Sequence, residues 1–140
     1  MKRLLLAGLL VFTLSSCKNN VNPEEVIWKL VELNGDVNAA FDEENTFTLK
    51  FLSEEGKIGG VGACNSFFGT YSIEEDDDIE LKIVGSTLMA GPNVEFERPY
   101  FDALESVDEY KIVKGQFHLF SDDKLVAKFN ALDIEKDKTE

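Results

Sequence analysis

Histidine is almost missing from this chain, with His118 the only one in 140 residues, and cysteine occurs only twice, at Cys17 and Cys64. A zinc site needs several His, Cys or carboxylate ligands at set spacings, which one histidine cannot supply, so no metal is expected. Basic residues are scarce too: 14 Lys and Arg stand against 27 Asp and Glu, giving a net charge of −13. Nucleic-acid binding rests on basic clusters that displace counterions from phosphate. The sequence contains none, so no nucleic-acid partner is expected. The longest apolar run, Leu4 to Leu14, has 11 residues, about half of what a bilayer-crossing helix needs.

The flanks of that run give it a meaning. Lys2 and Arg3 form a positive n-region, Leu4 to Leu14 an h-region, and Ser15-Ser16 bring small residues up to Cys17, where a signal peptidase would cut. The pattern resembles a bacterial lipoprotein signal; a cleaved, unlipidated signal peptide is the alternative. On the lipoprotein reading, residues 1–16 are removed and Cys17 carries the lipid, with acyl chains such as palmitate. Cys64, left without a partner, is then a lone buried thiol. Loss of Lys2 and Arg3 takes the net charge from −13 to −15, which would keep the domain off an anionic lipid surface except through its anchor. Residues 17–25 are polar and read as a lipidated flexible tether, residues 26–132 as one folded domain, and residues 133–140 as a polar tail. By the sorting rule for lipoproteins, Lys18 is not the aspartate that marks inner-membrane retention, so the expected address is the outer membrane of the cell envelope.

Within the domain the hydrophobic period is mostly 2. Thr46–Phe51, Ile79–Ile83 and Lys124–Phe129 alternate polar with apolar, and Val26–Leu33, Lys57–Val61, Phe67–Ile73, Glu109–Val113 and Gln116–Phe120 complete about eight short strands. Asn34-Gly35 favours a tight turn after the first. The acidic run Glu74 to Asp78 lies between two strands and lacks the ligand spacing of a calcium loop, so it reads as a hairpin loop. From Asn93 to Val107, the apolar residues Phe96, Tyr100, Phe101, Leu104 and Val107 recur every three or four positions, as on one face of a helix. Asn93 is placed to cap it. Pro99 either lies in the first turn or kinks the helix. The fold class expected is α+β and mostly β: a small, curled, barrel-like antiparallel sheet packed with one helix.

The most specific stretch is Gly59-Gly60-Val61-Gly62-Ala63-Cys64-Asn65-Ser66-Phe67-Phe68-Gly69-Thr70-Tyr71. Its glycines imply a backbone that bends sharply or approaches another strand closely, and Asn65 could bond its own backbone in a turn. The stretch resembles the Gly-x-Cys-Asn-x-Phe-x-Gly-x-Tyr signature of the META domain, the HslJ-like family of bacterial envelope proteins. Trp28 in Ile27-Trp28-Lys29-Leu30 resembles the family's opening strand, and Ser86-Thr87-Leu88-Met89-Ala90 its Ser-Thr-x-Met-Ala segment. The resemblance covers about Ile27 to Asn130. It implies strands curled around one helix, members associated with envelope stress, and no catalytic residue or agreed ligand. Trp28, Gly62, Cys64, Asn65, Phe68, Gly69, Tyr71, Ser86, Thr87 and Met89 are the motif residues, with structural roles. The family usually follows Met-Ala with a cysteine thought to pair with the one before the asparagine; here that place is Gly91, so the disulfide is absent.

Chemistry is hard to assemble from what is left. Cys64 with His118 is the one pair suggesting a thiol nucleophile and base, but a buried thiol packs as a small hydrophobe and His118 alternates to the face opposite Phe117 and Leu119. No cofactor is expected. Eleven Phe in the chain would either fill the core or line a pocket for a lipid or other apolar molecule. Phe67 and Phe68, adjacent in a strand, face opposite sides, so one is a candidate partner contact. The expected function is that of a non-enzymatic lipoprotein, a stress-response or interaction module held to the membrane through Cys17 with an envelope protein as partner. The alternatives are an apolar-ligand barrel and, remotely, a hydrolase with unplaced carboxylates.

Overall fold

Alternation of apolar and polar side chains builds β1 (Ile27–Leu33), β2 (Thr48–Leu52), β3 (Lys57–Gly62), β4 (Asn65–Ile73), β5 (Ile79–Ser86), β6 (Glu109–Val113), β7 (Gln116–Ser121) and β8 (Lys124–Ala131), with one helix, α1 (Glu97–Ser106), between β5 and β6. The computed structural model describes residues 21–42, 46–52 and 55–132. The signal, Cys17 with the first part of the tether, and the tail from 133 lie outside the described residues. All strands join one antiparallel sheet in the order β5-β4-β3-β2-β1-β8-β7-β6, which curls into a half-barrel. Its two edges meet at a single bridge, Asp78 to Glu109, where the Ile79 N–H donates to the Asp108 carbonyl at 3.0 Å. Beside that bridge α1 packs along β5, and the Glu105 carboxylate accepts from the Ile83 N–H at 3.1 Å. The helix thus covers an edge that would otherwise present unpaired backbone.

The inward faces make one aromatic core. Trp28 stacks on Phe117 with ring centroids 5.1 Å apart, Phe51 meets Phe117 edge-on at 5.8 Å, and Phe67 meets Phe101 of the helix at 5.1 Å. Tyr100 is fully buried and its hydroxyl donates to the Thr48 carbonyl at 3.0 Å, so the helix is pinned to β2 by a satisfied polar group. Each such side chain contributes about 1.5–3 kcal/mol by leaving water. Burial pushes the Tyr100 hydroxyl well above its ordinary pKa. That of Tyr71 is pushed up to about 12 by burial and then by its bond to Glu24, and that of Tyr110 upward by burial and then by Asp77.

Several boundaries differ from the sequence reading. β2 begins at Thr48, because Phe47 takes a positive φ of 48° and presents its carbonyl to the Leu30 N–H at 2.9 Å. Asn93 is itself left-handed, with φ of 62°, and gives no side-chain cap; a single 3-10 turn, Val94–Phe96, leads into the helix. Pro99 lies in the first turn of α1, where its missing N–H would have had no intrahelical partner. The tether reading fails for residues 21–25: Val21 packs on the core, Pro23 is buried, its carbonyl accepts from Trp28 Nε1 at 2.9 Å, and Tyr71 donates to the Glu24 carboxylate. Trp28 and Tyr71 recruit the segment to the domain by offering it one buried and one half-buried hydrogen-bond donor.

Candidate functional site

The glycine-rich motif forms the β3–β4 hairpin. Its centre is Asn65, only 1% exposed, whose side chain does not serve its own turn as the sequence suggested. It reaches across to the segment after β5. Oδ1 accepts from the Met89 N–H at 2.7 Å and from Thr87 Oγ1 at 2.9 Å, while Nδ2 donates to the Met89 carbonyl at 3.1 Å and to Glu97 Oε2 at 2.8 Å. Every donor and acceptor of the amide is used. Thr87 adds a second tie, since Oγ1 also accepts from the Ser66 N–H at 3.2 Å. The signature and the Ser86-Thr87-Met89 segment are therefore two halves of one polar clamp, closed by Glu97 at the start of α1.

The motif glycines are explained by space. None of Gly60, Gly62 and Gly69 has a positive φ, so of the two readings of the glycines, a sharp bend and a close approach, the close approach applies to these three. A Cβ on Gly60 would sit 2.0 Å from the Thr48 carbonyl oxygen, one on Gly69 2.0 Å from that of Lys82, and one on Gly62 2.9 Å from the Phe101 ring. Gly62 thus seats the helix, and the others let strands approach closely. Trp28 and Tyr71, two of the three motif aromatics, serve the core, and Ser86 pairs with Phe67 in the ladder.

Cys64 is a free thiol, but half-buried where a buried one was expected. Its Sγ lies 3.6 Å from the Met89 carbonyl, and a Cβ on Gly91 would come within 2.9 Å of it. His118 is not brought to it. The histidine ring contacts Gln116 Oε1 at 3.2 Å and is held below its ordinary pKa by partial burial and then by Lys128. Of the two candidate contacts, Phe67 is buried at 3% exposure and drops out, whereas Phe68 is 59% exposed.

The sequence reading missed one feature. An open cleft of about 610 Å³ at the half-barrel seam gathers seven carboxylates, from the acidic run, β5, the α1–β6 junction and the β7–β8 turn (Asp122 and Asp123). The run Glu74–Asp78 signalled only part of it: Glu80 lies just beyond the run, but Asp108, Glu109, Asp122 and Asp123 come about 30 or more residues later in the chain. No group of three or more metal-ligating side chains suited to an ion occurs among the described residues.

The hub makes a direct prediction. Asn65→Asp should remove both donors and set a carboxylate against Glu97 Oε2 and the Met89 carbonyl, costing about 3 kcal/mol or more for buried groups left unsatisfied. Adding Glu97→Gln, which restores a donor, should recover part of it. Urea denaturation of both variants checks this; equal midpoints for Asn65→Asp and the unsubstituted protein would refute the clamp.

Comparison with known proteins agrees with this fold. The family model described as META domain matches residues 10–133. The solved structures most similar in fold include an NMR structure of a protein from Burkholderia xenovorans, 22% identical with a TM-score of 0.63, covering 79% of this chain and 84% of that one. Another is the crystal structure of a DUF4847 family protein from Bacteroides vulgatus, 15% identical with a TM-score of 0.59, covering 78% of this chain and 94% of that one. At these identities the likeness is one of fold. No curated protein matches.

Proposed function

The chain belongs to the META domain family, and on that premise we propose that it is a non-enzymatic envelope lipoprotein, anchored through Cys17 at the outer membrane and acting as an interaction or stress-response module. The observation that carries the non-enzymatic reading is the fate of the motif. Asn65 uses all of its hydrogen-bonding capacity, Thr87 Oγ1 bonds Asn65 and the Ser66 backbone, Glu97 Oε2 is taken by Asn65, and the glycines are occupied by close contacts. Most of the residues that define the family therefore hold the fold, and the exposed ones, Phe68 and Met89, belong to the surface that is left for function. The address is supported by Lys2-Arg3, the apolar run and Ser15-Ser16-Cys17.

The apolar-ligand alternative finds less support. Trp28, Phe47, Phe51, Tyr100 and Phe117 fill one another's space at ring separations of about 5 to 6 Å, and the cleft at the seam is lined with carboxylates. Cys17→Ala tests the anchor. In detergent-phase partitioning of cell lysates, the unsubstituted protein should enter the detergent phase and Cys17→Ala the aqueous phase, since each acyl chain contributes roughly 0.8 kcal/mol per buried methylene. Equal partitioning would end the lipoprotein reading.

A further inference from the structure

We propose that the outer face of β2–β5 rests on an anionic lipid surface, with Phe68 entering the headgroup region between Lys50, Lys57 and Lys82. This rests on the lipid-anchor reading of Cys17. Residues directly opposed in an antiparallel ladder project to the same face. One row runs Ile27, Lys50, Gly59, Phe68, Gly85 across β1–β5, and the next Leu52, Lys57, Thr70, Lys82 across β2–β5. Both rows face outward, since the alternate residues Phe51, Ile58 and Leu81 are buried.

The face is apolar and cationic at once. Phe68 is 59% exposed, Leu52 42%, and Val84, the extra residue of the β4–β5 bulge, 59%. Gly59 and Gly85 flank Phe68 with no side chains. The ring leans over Gly85 so closely that a Cβ there would meet it at 2.9 Å. Covering a glycine accounts for one side of the ring; more than half of the side chain still faces water.

Lys50 and Lys82 make no ion pair among the described residues, and Lys57 pairs with exposed Glu55 at 2.7 Å. Glu80, the next outward residue on β5, marks the border with the acidic cleft. A strongly acidic chain has therefore separated its charge, placing lysines around the exposed aromatic and carboxylates at the seam. Such a charge distribution orients a protein on an anionic surface despite its net charge. The expectation that repulsion keeps the whole domain off such a surface overlooks this separation.

Chain length selects the occupant. Val21 packs on the core, the turn at Pro23–Glu25 lies against β2, and Ile27 opens the first row. From Cys17 to Val21 there are four peptide steps, which span at most about 14 Å. Val21–Glu25 lies on the core side of β1 and β2, so a lipid on Cys17 sets the distance of this end of the sheet from the bilayer, and the exposed lysines and Phe68 set which face turns toward it, long lysine stems reaching headgroups while Phe68 inserts.

The test uses the full chain, matured and purified in detergent, then reconstituted into vesicles containing phosphatidylglycerol or phosphatidylcholine alone, with bromine-labelled lipid as quencher. Phe68→Trp is the reporter and Val113→Trp, exposed on β6, the reference; native Trp28 is fully buried and contributes a constant background. On anionic vesicles, Phe68→Trp emission should shift blue and fall by about half, Val113→Trp should not change, and adding Lys50→Glu with Lys82→Glu should cut the quenching about threefold. Protein that floats with the vesicles while Phe68→Trp stays unquenched, or while both reporters are quenched equally, overturns the proposed face and leaves the anchor standing. Quenching undiminished by the charge reversals overturns recognition by the lysines. Protein that does not float overturns the anchor and this proposal together.

Discussion

Gly69→Ala is expected to cost about 3 kcal/mol or more and to lower the melting temperature by about 12 °C or more. The added methyl carbon would stand 2.0 Å from the Lys82 carbonyl oxygen, 2.9 Å from its carbon and 3.1 Å from the Ile83 Cα. All three are backbone atoms, so no rotamer change can relieve the contact. Either the β4–β5 ladder opens or the bulge between Phe68 and Gly69 is rebuilt. Both outcomes disturb β5, on which α1 packs and from which Ile83 bonds Glu105. Gly56 supplies the comparison. It has a positive φ of 61°, but its nearest non-neighbouring atom would be 3.8 Å from a Cβ, so Gly56→Ala carries only the conformational cost, about 1 kcal/mol. Thermal melts followed by circular dichroism separate the two. A Gly69→Ala protein that melts with the unsubstituted one would show that the ladder yields without cost.

What was legible in the sequence is what is local. Period-2 alternation located every strand, and the aromatic spacing from Phe96 to Val107 located the helix, because each depends on neighbours a few residues apart. β2 was misjudged at its start because the pull on Phe47 is tertiary: its ring meets Phe41 and Tyr100 edge-on, and this burial outweighs the unfavourable φ. The tether was misjudged for a similar reason. Val21–Glu25 has a disordered composition, yet Trp28 and Tyr71 each supply a hydrogen bond that holds it. The Asn65 clamp joins residues 22 to 32 positions apart, a distance at which composition and period carry no information. The family resemblance named Asn65, Thr87 and Met89 but not Glu97, and only the fold shows that the four touch. For the glycines the sequence left two reasons open, a sharp bend or a close strand approach; the structure selects the second, and the contact at Gly69 could be placed only with the partner strand present.

Gly91→Cys is expected to form a disulfide with Cys64 on air oxidation and to raise stability by about 3 to 4 kcal/mol, the entropic estimate for a closed loop of this length. The geometry is already close. A Cβ at position 91 lies 2.9 Å from Cys64 Sγ and 3.3 Å from Cys64 Cβ, a few tenths of an ångström inside the usual Cβ separation of a disulfide. Gly91 has no positive φ, so an L-residue meets no backbone strain there. The bond would tie the hairpin end of the Asn65 clamp to the end of the Met89 segment, two elements already joined by hydrogen bonds, so little native structure has to move. The reduced protein should show the opposite sign: with a second sulfur forced against Cys64, Gly91→Cys in reductant should melt below the unsubstituted protein. The predicted signature is therefore a melting temperature that crosses from below to above the parent as the thiols are oxidised. Two thiols that both remain titratable after oxidation would show that these segments stand further apart than described.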